Sequence, residues 1–145
     1  RNRGVSIARG DILAFIDSDC TASTGWLREL LGGFSDPKLA AVGGLVDGMR
    51  EAGALDRYEA VMSSLTLGTR AMTGSSGDDT FYLPSCNLLV RSQAFRSLNG
   101  FTPDMHVGED VDLTWRLRDA GWRISYLPTG KIWHEHRSLS YKTVL

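Results

Sequence analysis

The chain has 145 residues, 42% of them hydrophobic and 23% charged, which are the proportions of a single globular domain in water. Its 16 basic and 17 acidic residues give a net charge of -1, which excludes a bulk electrostatic attraction to nucleic acid or to an anionic membrane. Two cysteines are too few for a disulfide framework, and no signal peptide or apolar run of membrane-spanning length is recognisable. We therefore expect a cytoplasmic protein, with contact to the inner face of the membrane left to segments outside this chain.

The first ten residues predict a short helix. Val5, Ile7 and Ala8 give it an apolar face, and Gly10 turns the chain towards the next element. Because the sequence opens on Arg1 rather than on Met, we expect a fragment of a longer protein.

Residues 12–16, ILAFI, are the clearest strand signal. The run is too short for a membrane span and too continuous for a surface strand, so it predicts a central strand buried on both faces. Asp17 and Asp19 follow at its carboxyl end, where open α/β sheets bind their ligands. Neighbouring carboxylates repel each other unless they are neutralised, and Mg or Mn favours carboxylate oxygen. The pattern predicts a divalent metal and a bound phosphate; the alternative is a turn capped by Asp17, with Asp19 in solvent.

Periodicity and turn residues divide the rest of the chain into helices and strands, without an internal repeat or a linker. Helices are predicted after residue 24, on the face of Leu55, Tyr58, Met62 and Leu65, after residue 92, and over 108–121. Strands are predicted at 39–46, 80–84, 87–90, 122–126 and 131–136. The apolar residues of the first of these helices, between Trp26 and Phe34, are expected to lie in the core.

Acidic residues open the helix predicted over 108–121. The helix dipole alone explains Glu109, Asp110 and Asp112 in a first turn. Asp112 lies four residues before Arg116, which predicts a surface ion pair. Asp110 shares a stripe with Leu113 and so lies at the edge of the buried face, where a general base beside a sugar hydroxyl is expected. Glu109 is expected to orient an acceptor or donor hydroxyl.

Two histidines near the end of the chain are candidate metal ligands. His134 and His136 lie on one side of an extended segment because strand side chains alternate. Either imidazole can complete a metal site begun by Asp19. The alternative is a surface strand with two polar residues.

Three segments together resemble the nucleotide-sugar glycosyltransferases of family 2, which have a GT-A type α/β fold. RNRGVSIARGDILAFIDSDC resembles the segment in which a helix with Arg-Asn precedes the strand that ends in D-x-D. GEDVDLTWRLRDAGW resembles the motif that carries the catalytic base, and WHEHR resembles the late histidine segment. More narrowly, RYEAV, LPSCNLLVR, HVGEDVDLTWRLRDAGW and HEHR resemble the mycofactocin-system glycosyltransferases, which extend a glucan chain on a peptide-derived redox cofactor.

The resemblance implies a mixed, mainly parallel central sheet flanked by helices, with residues 1–145 as the C-terminal two-thirds of a single catalytic domain. Family members begin with a strand and a helix that bind the nucleotide base, and these elements are not in residues 1–145. The identity of the base and of the sugar is therefore not readable from this chain.

The implied reaction is an inverting, metal-dependent hexosyl transfer from a nucleotide donor, UDP-glucose first among them, to a glycan, lipid or peptide-derived hydroxyl. Asp17 would contact the nucleotide, and Asp19 would hold the metal, Mg or Mn, that bridges the two phosphates. Asp110 would deprotonate the acceptor hydroxyl, and His134 or His136 would close the diphosphate side. Further residues near the donor would be Arg1 and Asn2. Those that border the acceptor would be Ser85, Cys86, Asn87, Met105 and His106.

Two alternatives stay open from the sequence. FIDSDCT also fits the D-x-D-x-T strand of haloacid-dehalogenase-like phosphatases, with Asp17 as nucleophile, Asp19 as acid/base and Thr21 behind them. That chemistry needs a later Lys and an acidic pair after an apolar strand, whereas Asp78 and Asp79 lie in a Gly/Ser loop. The other alternative is a non-catalytic module that binds nucleotide sugars.

Overall fold

The computed structural model describes residues 1–48, 63, 65–77 and 81–134. The helices are Asn2–Ile7 (α1), Trp26–Leu31 (α2, followed by a 3-10 turn at Gly32–Ser35), Ser92–Ser97 (α3) and Glu109–Asp119 (α4). The strands are Ile12–Ile16 (β1), Cys20–Ala22 (β2), Leu39–Gly43 (β3), Val46–Gly48 (β4), Met72–Gly74 (β5), Asn87–Arg91 (β6), Arg123–Tyr126 (β7) and Ile132–His134 (β8). None of these helices is long and apolar enough to cross a membrane. The predicted helical face of Leu55, Tyr58 and Met62 lies outside the described residues.

A five-stranded mixed sheet forms the centre of the fold, in the order β1-β6-β3-β7-β5. β6 lies between β1 and β3 and is antiparallel to both, β3 and β7 are parallel neighbours, and β5 is antiparallel to β7. Three of the five strands, β1, β3 and β7, therefore run in one direction. The predicted mixed α/β sheet is confirmed, although three of its four neighbouring pairs are antiparallel.

A smaller three-stranded sheet, in the order β2-β8-β4, lies beside the region where β1 ends. β2 is antiparallel to β8, and Cys20 is the register partner of His134. This pairing brings the segment that follows the D-x-D next to the segment that carries the late histidine.

Alternating residues of the central strands pack on opposite faces of the large sheet. Leu88 and Val90 of β6 join one apolar cluster with Leu113 of α4, whereas Leu89 joins a second cluster with Leu30 of α2. All of these side chains are buried. Helices on both faces thus fix the sheet, and the start of α4 is held close to the end of β1.

The prediction that β1 is a central strand buried on both faces is wrong. β1 is at the edge of the sheet within the described part of the chain, and β3 and β6 take the doubly buried place. Leu13 is buried and Phe15 packs on the rings of Phe95 and Phe101, but Ala14 and Ile16 are exposed. A run of five apolar residues shows no alternation of apolar and polar side chains, so the sequence does not reveal which face of the strand is exposed to solvent.

Two other predictions from periodicity need correction. Residues 81–84 do not form a strand, because the backbone N–H of Leu83 donates to the Thr114 hydroxyl of α4 at 3.2 Å rather than to a neighbouring strand. In α2, Leu30 is completely buried, but Leu27 and Leu31 are 43% and 41% exposed. A six-residue helix presents only one side to the sheet, so part of the predicted apolar set stays in solvent.

Candidate functional site

The two acidic motifs meet across the guanidinium of Arg1. Its Nη2 donates to Asp17 Oδ1 at 2.8 Å, and its Nη1 donates to Glu109 Oε1. Asp17 directly follows β1 and Glu109 begins α4, so one cation joins residues that are distant in sequence. Burial alone would lower the pKa of Arg1, but the hydrogen bonds and charges of Asp17 and Glu109 outweigh it and raise that pKa above its usual value. Arg1 therefore stays charged and neutralises both acids.

The short helix α1, which follows this arginine, is anchored at both ends. Asn2 Nδ2 donates to the Phe101 carbonyl at 2.7 Å, and Asn2 Oδ1 accepts from the Phe101 N–H at 3.0 Å. Arg96 Nη2 donates to the carbonyls of Val5 and Ala8, at 2.8 and 3.0 Å. These contacts give Asn2 a structural role, and its contact with a donor stays a prediction.

The carboxylate of Asp110 is oriented by two backbone donors. Its Oδ2 accepts from the N–H of Ser85 at 3.1 Å, and its Oδ1 accepts from the N–H of Val111 at 2.9 Å. Gly108, with a φ of 79°, provides the left-handed turn into α4. Asp110 is half-buried, at the edge of the apolar stripe that the sequence indicates. A carboxylate held in one orientation at the border of core and solvent is suited to proton transfer.

Asp112, one turn into the same helix, has a different environment. Its Oδ2 accepts from Arg116 Nε and Nη2, at 2.9 and 2.6 Å, and from the Thr102 hydroxyl at 2.7 Å. The hydrogen bonds from Arg116 are the main reason that the pKa of Asp112 is lowered. Arg116 also donates to the carbonyls of Leu98 and Gly100, so the predicted ion pair is confirmed and helps to fix the loop before α4.

Three potential metal ligands converge where the smaller sheet meets the D-x-D. One ligand atom each from Asp19, Cys20 and His134 lie within 4.8 Å of one another. His134 Nε2 is 3.7 Å from Asp19 Oδ2, and the Cys20 thiol donates to Asp19 Oδ1 at 3.8 Å. Carboxylate, imidazole and thiolate are a donor set that fits a divalent cation. The sequence indicated Asp19 and His134 for this role but not Cys20, and His136 lies outside the described residues.

Both cysteines have raised pKa values. Burial, with the charges of Asp19 and Asp17, raises the pKa of Cys20 to about 11. Burial also raises the pKa of Cys86 to about 12, with smaller contributions from Cys20, Asp17 and Asp110. Cys86 is therefore a neutral thiol that lies among the residues of the candidate site.

The predicted acceptor residues divide into two groups. Met105 and His106 line an open cleft of about 420 Å³, together with Arg1 and Glu109. Ser85, Cys86 and Asn87, in contrast, are buried. The backbone N–H of Ser85 contacts Asp110, so this turn lies next to the candidate base. Contact of Met105, His106, Ser85 and Cys86 with an acceptor stays a prediction.

The contacts of Asn87 give this residue a structural role, and its predicted place beside the acceptor stays a prediction. The residue is fully buried, its Nδ2 donates to the carbonyls of Leu45 and Gly130 at 2.9 Å each, and its Oδ1 accepts from the Trp26 indole at 2.7 Å. These three hydrogen bonds occupy both ends of the amide. Asn87 therefore ties β6 to α2 and to the loop before β8.

Comparison with known proteins gives a consistent family. A family model described as glycosyltransferase-like family 2 matches residues 1–144. The pre-mycofactocin glycosyltransferase of Mycobacterium tuberculosis (strain ATCC 25618 / H37Rv) is 43% identical over 139 residues, which are 95% of this chain and 30% of that protein. The glycosyltransferase AglE of Haloferax volcanii is 29% identical over 128 residues, which are 87% of this chain and 40% of that protein. The chain thus spans well under half the length of these relatives.

Solved structures share the fold. TarS of S. aureus in complex with UDP-GlcNAc matches with a TM-score of 0.68 at 17% identity, over 99% of this chain and 40% of that one. The mannosyltransferase PcManGT of Pyrobaculum calidifontis, in complex with GDP-Man and Mn²⁺, matches with a TM-score of 0.65 at 16% identity, over 97% of this chain and 36% of that one. At these identities the likeness establishes the fold, which is of the predicted GT-A type.

Proposed function

Because the chain belongs to glycosyltransferase family 2, we propose that it forms part of the catalytic domain of an enzyme that transfers a sugar from a nucleotide diphosphate to an acceptor hydroxyl, with inversion at the anomeric carbon. This chain covers 30% of its relative from M. tuberculosis, so the proposed activity belongs to the full-length protein.

The observation that carries the proposal is the double contact of Arg1 with Asp17 and Glu109. It brings the D-x-D and the acidic start of α4 to one place, beside an open cleft. A transferase needs both groups within the length of one sugar, because the donor phosphates and the acceptor hydroxyl lie on opposite sides of the reacting carbon. This convergence supports a two-substrate site.

On the donor side, Asp17 and Arg1 would contact the nucleotide, and Asp19 with His134 would hold a divalent metal. A bound metal offsets the charge that builds on the departing diphosphate. Mn²⁺ is the ion in the complex of PcManGT. The side chains of Asp17 and Asp19 are partly exposed and so are accessible to a nucleotide and a metal ion.

On the acceptor side, Asp110 would act as the general base. Its two backbone donors fix the carboxylate, and a lone pair on either oxygen can accept the proton of an incoming hydroxyl. The hydroxyl would then attack the anomeric carbon directly from the side opposite the diphosphate. A single direct displacement inverts the configuration. Glu109, held by Arg1, would orient a hydroxyl of one substrate.

The relatives also suggest a particular donor and acceptor. The relative with 43% identity is a pre-mycofactocin glycosyltransferase, and we propose UDP-glucose as donor and a peptide-derived or glucan acceptor for this protein. The family match favours the transferase over the phosphatase alternative, which needs an acidic pair after an apolar strand. Asp78 and Asp79, in a Gly/Ser loop by sequence, lie outside the described residues.

The test is a transfer assay on the full-length protein with UDP-glucose, Mn²⁺ and a short glucan acceptor. We expect Asp110→Asn to lower kcat by at least about 100-fold, the lower end of what a general base contributes. Asp119→Asn is the matched control, since Asp119 is an exposed acid at the other end of α4. Nuclear magnetic resonance of the product would show the inverted anomer. Turnover of Asp110→Asn at the wild-type rate, or a retained anomer, would contradict the proposed mechanism.

A further inference from the structure

We propose that the sulfur of Cys20 is a third protein ligand of the metal, beside Asp19 and His134, and that it makes the site select thiophilic divalent cations over Mg²⁺. The proposal rests on the proposed function, in which Asp19 and His134 hold a metal at the donor phosphates.

The distances between the ligand atoms support a shared cation. Metal bonds of about 2.0–2.3 Å at tetrahedral angles place neighbouring ligand atoms about 3.3–3.7 Å apart. His134 Nε2 and Asp19 Oδ2 are 3.7 Å apart, Cys20 Sγ and Asp19 Oδ1 are 3.8 Å apart, and the three ligand atoms of the group lie within 4.8 Å of one another. Side-chain shifts of about 1 Å are therefore enough to close all three around one ion.

The backbone explains why the sulfur lies there. Cys20 and His134 are directly paired in the antiparallel register of β2 and β8, so their side chains project on the same face of the smaller sheet. Asp19 immediately precedes β2 and turns its carboxylate towards both. Asp17, in contrast, is bonded to Arg1. The pairing of two strands thus brings the three ligand residues together, and their proximity does not depend on freely mobile surface side chains.

The composition of this set determines the metal that it prefers. Mg²⁺ takes oxygen ligands in a strict octahedron and binds sulfur poorly, whereas Zn²⁺, Co²⁺ and Cd²⁺ accept thiolate and imidazole. Three protein ligands would leave room on the ion for ligands from the substrate, as in catalytic zinc sites. Phosphate oxygens of the donor would supply them. The donor site would therefore work with thiophilic or borderline ions and poorly with Mg²⁺.

The experiment is a titration of the reduced full-length protein with Cd²⁺, followed by ultraviolet absorption. Binding of Cd²⁺ would displace the proton of the Cys20 thiol into the buffer, and the thiolate bound to Cd²⁺ gives a charge-transfer band that oxygen and nitrogen ligands do not give. We expect this band in the wild-type protein and its loss in Cys20→Ser. The matched control is Cys86→Ser, which removes a buried cysteine of the apolar cluster on which Cys20 packs but none of the three proposed ligands, and should keep the band. Circular dichroism of each variant checks that it is folded.

Affinity provides a second readout. Cys20→Ser should weaken Cd²⁺ and Zn²⁺ binding by at least about tenfold and should change Mn²⁺ binding less. Tenfold is a lower bound, because even the loss of a residue that only hydrogen-bonds to a metal ligand lowers metal affinity by about this factor. If the wild type shows no band or Cys86→Ser loses it, while Mn²⁺ still supports UDP binding, Cys20 is not a ligand and the proposed function stands. If the full-length protein binds neither Cd²⁺ nor Mn²⁺, both proposals fail.

Discussion

Replacement of Asn87 by Ala separates a structural role from an acceptor-binding one. The side chain is fully buried and makes hydrogen bonds to the Leu45 carbonyl, the Gly130 carbonyl and the Trp26 indole. Truncation removes all three bonds and leaves the Gly130 carbonyl and the Trp26 indole N–H without this partner, whereas the Leu45 carbonyl still accepts from the Ile132 N–H. We therefore expect the variant to lose folding stability before it loses any affinity for an acceptor.

The size of the loss follows from these contacts. Each hydrogen bond contributes about 1 kcal/mol net, and a buried polar group left unpaired costs about 1–3 kcal/mol. Because a water molecule that enters the gap can partly satisfy these groups, we expect a total of about 3–5 kcal/mol, a large share of the roughly 5–15 kcal/mol that stabilises a domain. With a urea m-value of about 2 kcal/mol/M, the unfolding midpoint would fall by about 2 M.

The assay is urea unfolding of the full-length protein, with the KM for the acceptor measured on the folded variant. Gln93→Ala is the matched control, because Gln93 carries an exposed amide on α3 and its loss should change stability by less than about 0.5 kcal/mol. A double-mutant cycle with Trp26→Phe should give a coupling energy of about 1 kcal/mol. A wild-type midpoint for Asn87→Ala together with a raised KM would refute the structural reading.

Further predictions concern the charged residues. The pKa of Asp112 is lowered in the folded state, mainly by Arg116, so the stability it adds is present above its unfolded pKa of about 3.9 and is lost as the pH falls through the folded value. The difference in unfolding free energy between wild type and Asp112→Asn should accordingly be largest near pH 7 and shrink below about pH 4; a difference independent of pH would contradict this. Arg1→Gln removes the cation that neutralises Asp17 and Glu109 and would attract the donor phosphates. The loss of one such attraction, about 1 kcal/mol in water, should raise the Kd for UDP-glucose about fivefold in calorimetry at low salt, and Arg1→Lys should retain part of the affinity. Equal Kd values for Arg1→Gln and wild type would show that this cation does not support the donor site.

Sequence periodicity was sufficient to predict those features that depend on residues close together along the chain. The ion pair of Asp112 and Arg116 follows from a spacing of four on a helix, and the half-buried position of Asp110 follows from its stripe with Leu113. The bounds of the strand that precedes Asp17 were also predicted correctly, because an apolar run bounded by turn residues is a strong local signal.

Features that depend on strand pairing were not readable in the same way. Nothing within residues 12–16 says that β1 has one neighbour in the described sheet, and nothing around Cys20 says that β8 places His134 opposite it. The burial of Asn87 depends on Trp26 and on a loop far along the chain. A polar residue in the turn LPSCN can border a ligand or tie the core together, and only the three-dimensional contacts distinguish the two.

The most direct test of the proposed division between donor and base residues is calorimetric titration of the full-length protein with UDP-glucose, first with Mn²⁺ and then with the metal chelated. We predict binding that requires Mn²⁺, is lost in Asp19→Ala and is nearly unchanged in Asp110→Asn, because a general base acts in the transition state and adds little to ground-state affinity. Binding of equal strength with and without the metal, or equal loss in both variants, would contradict the assignment of Asp19 to the metal and of Asp110 to proton transfer.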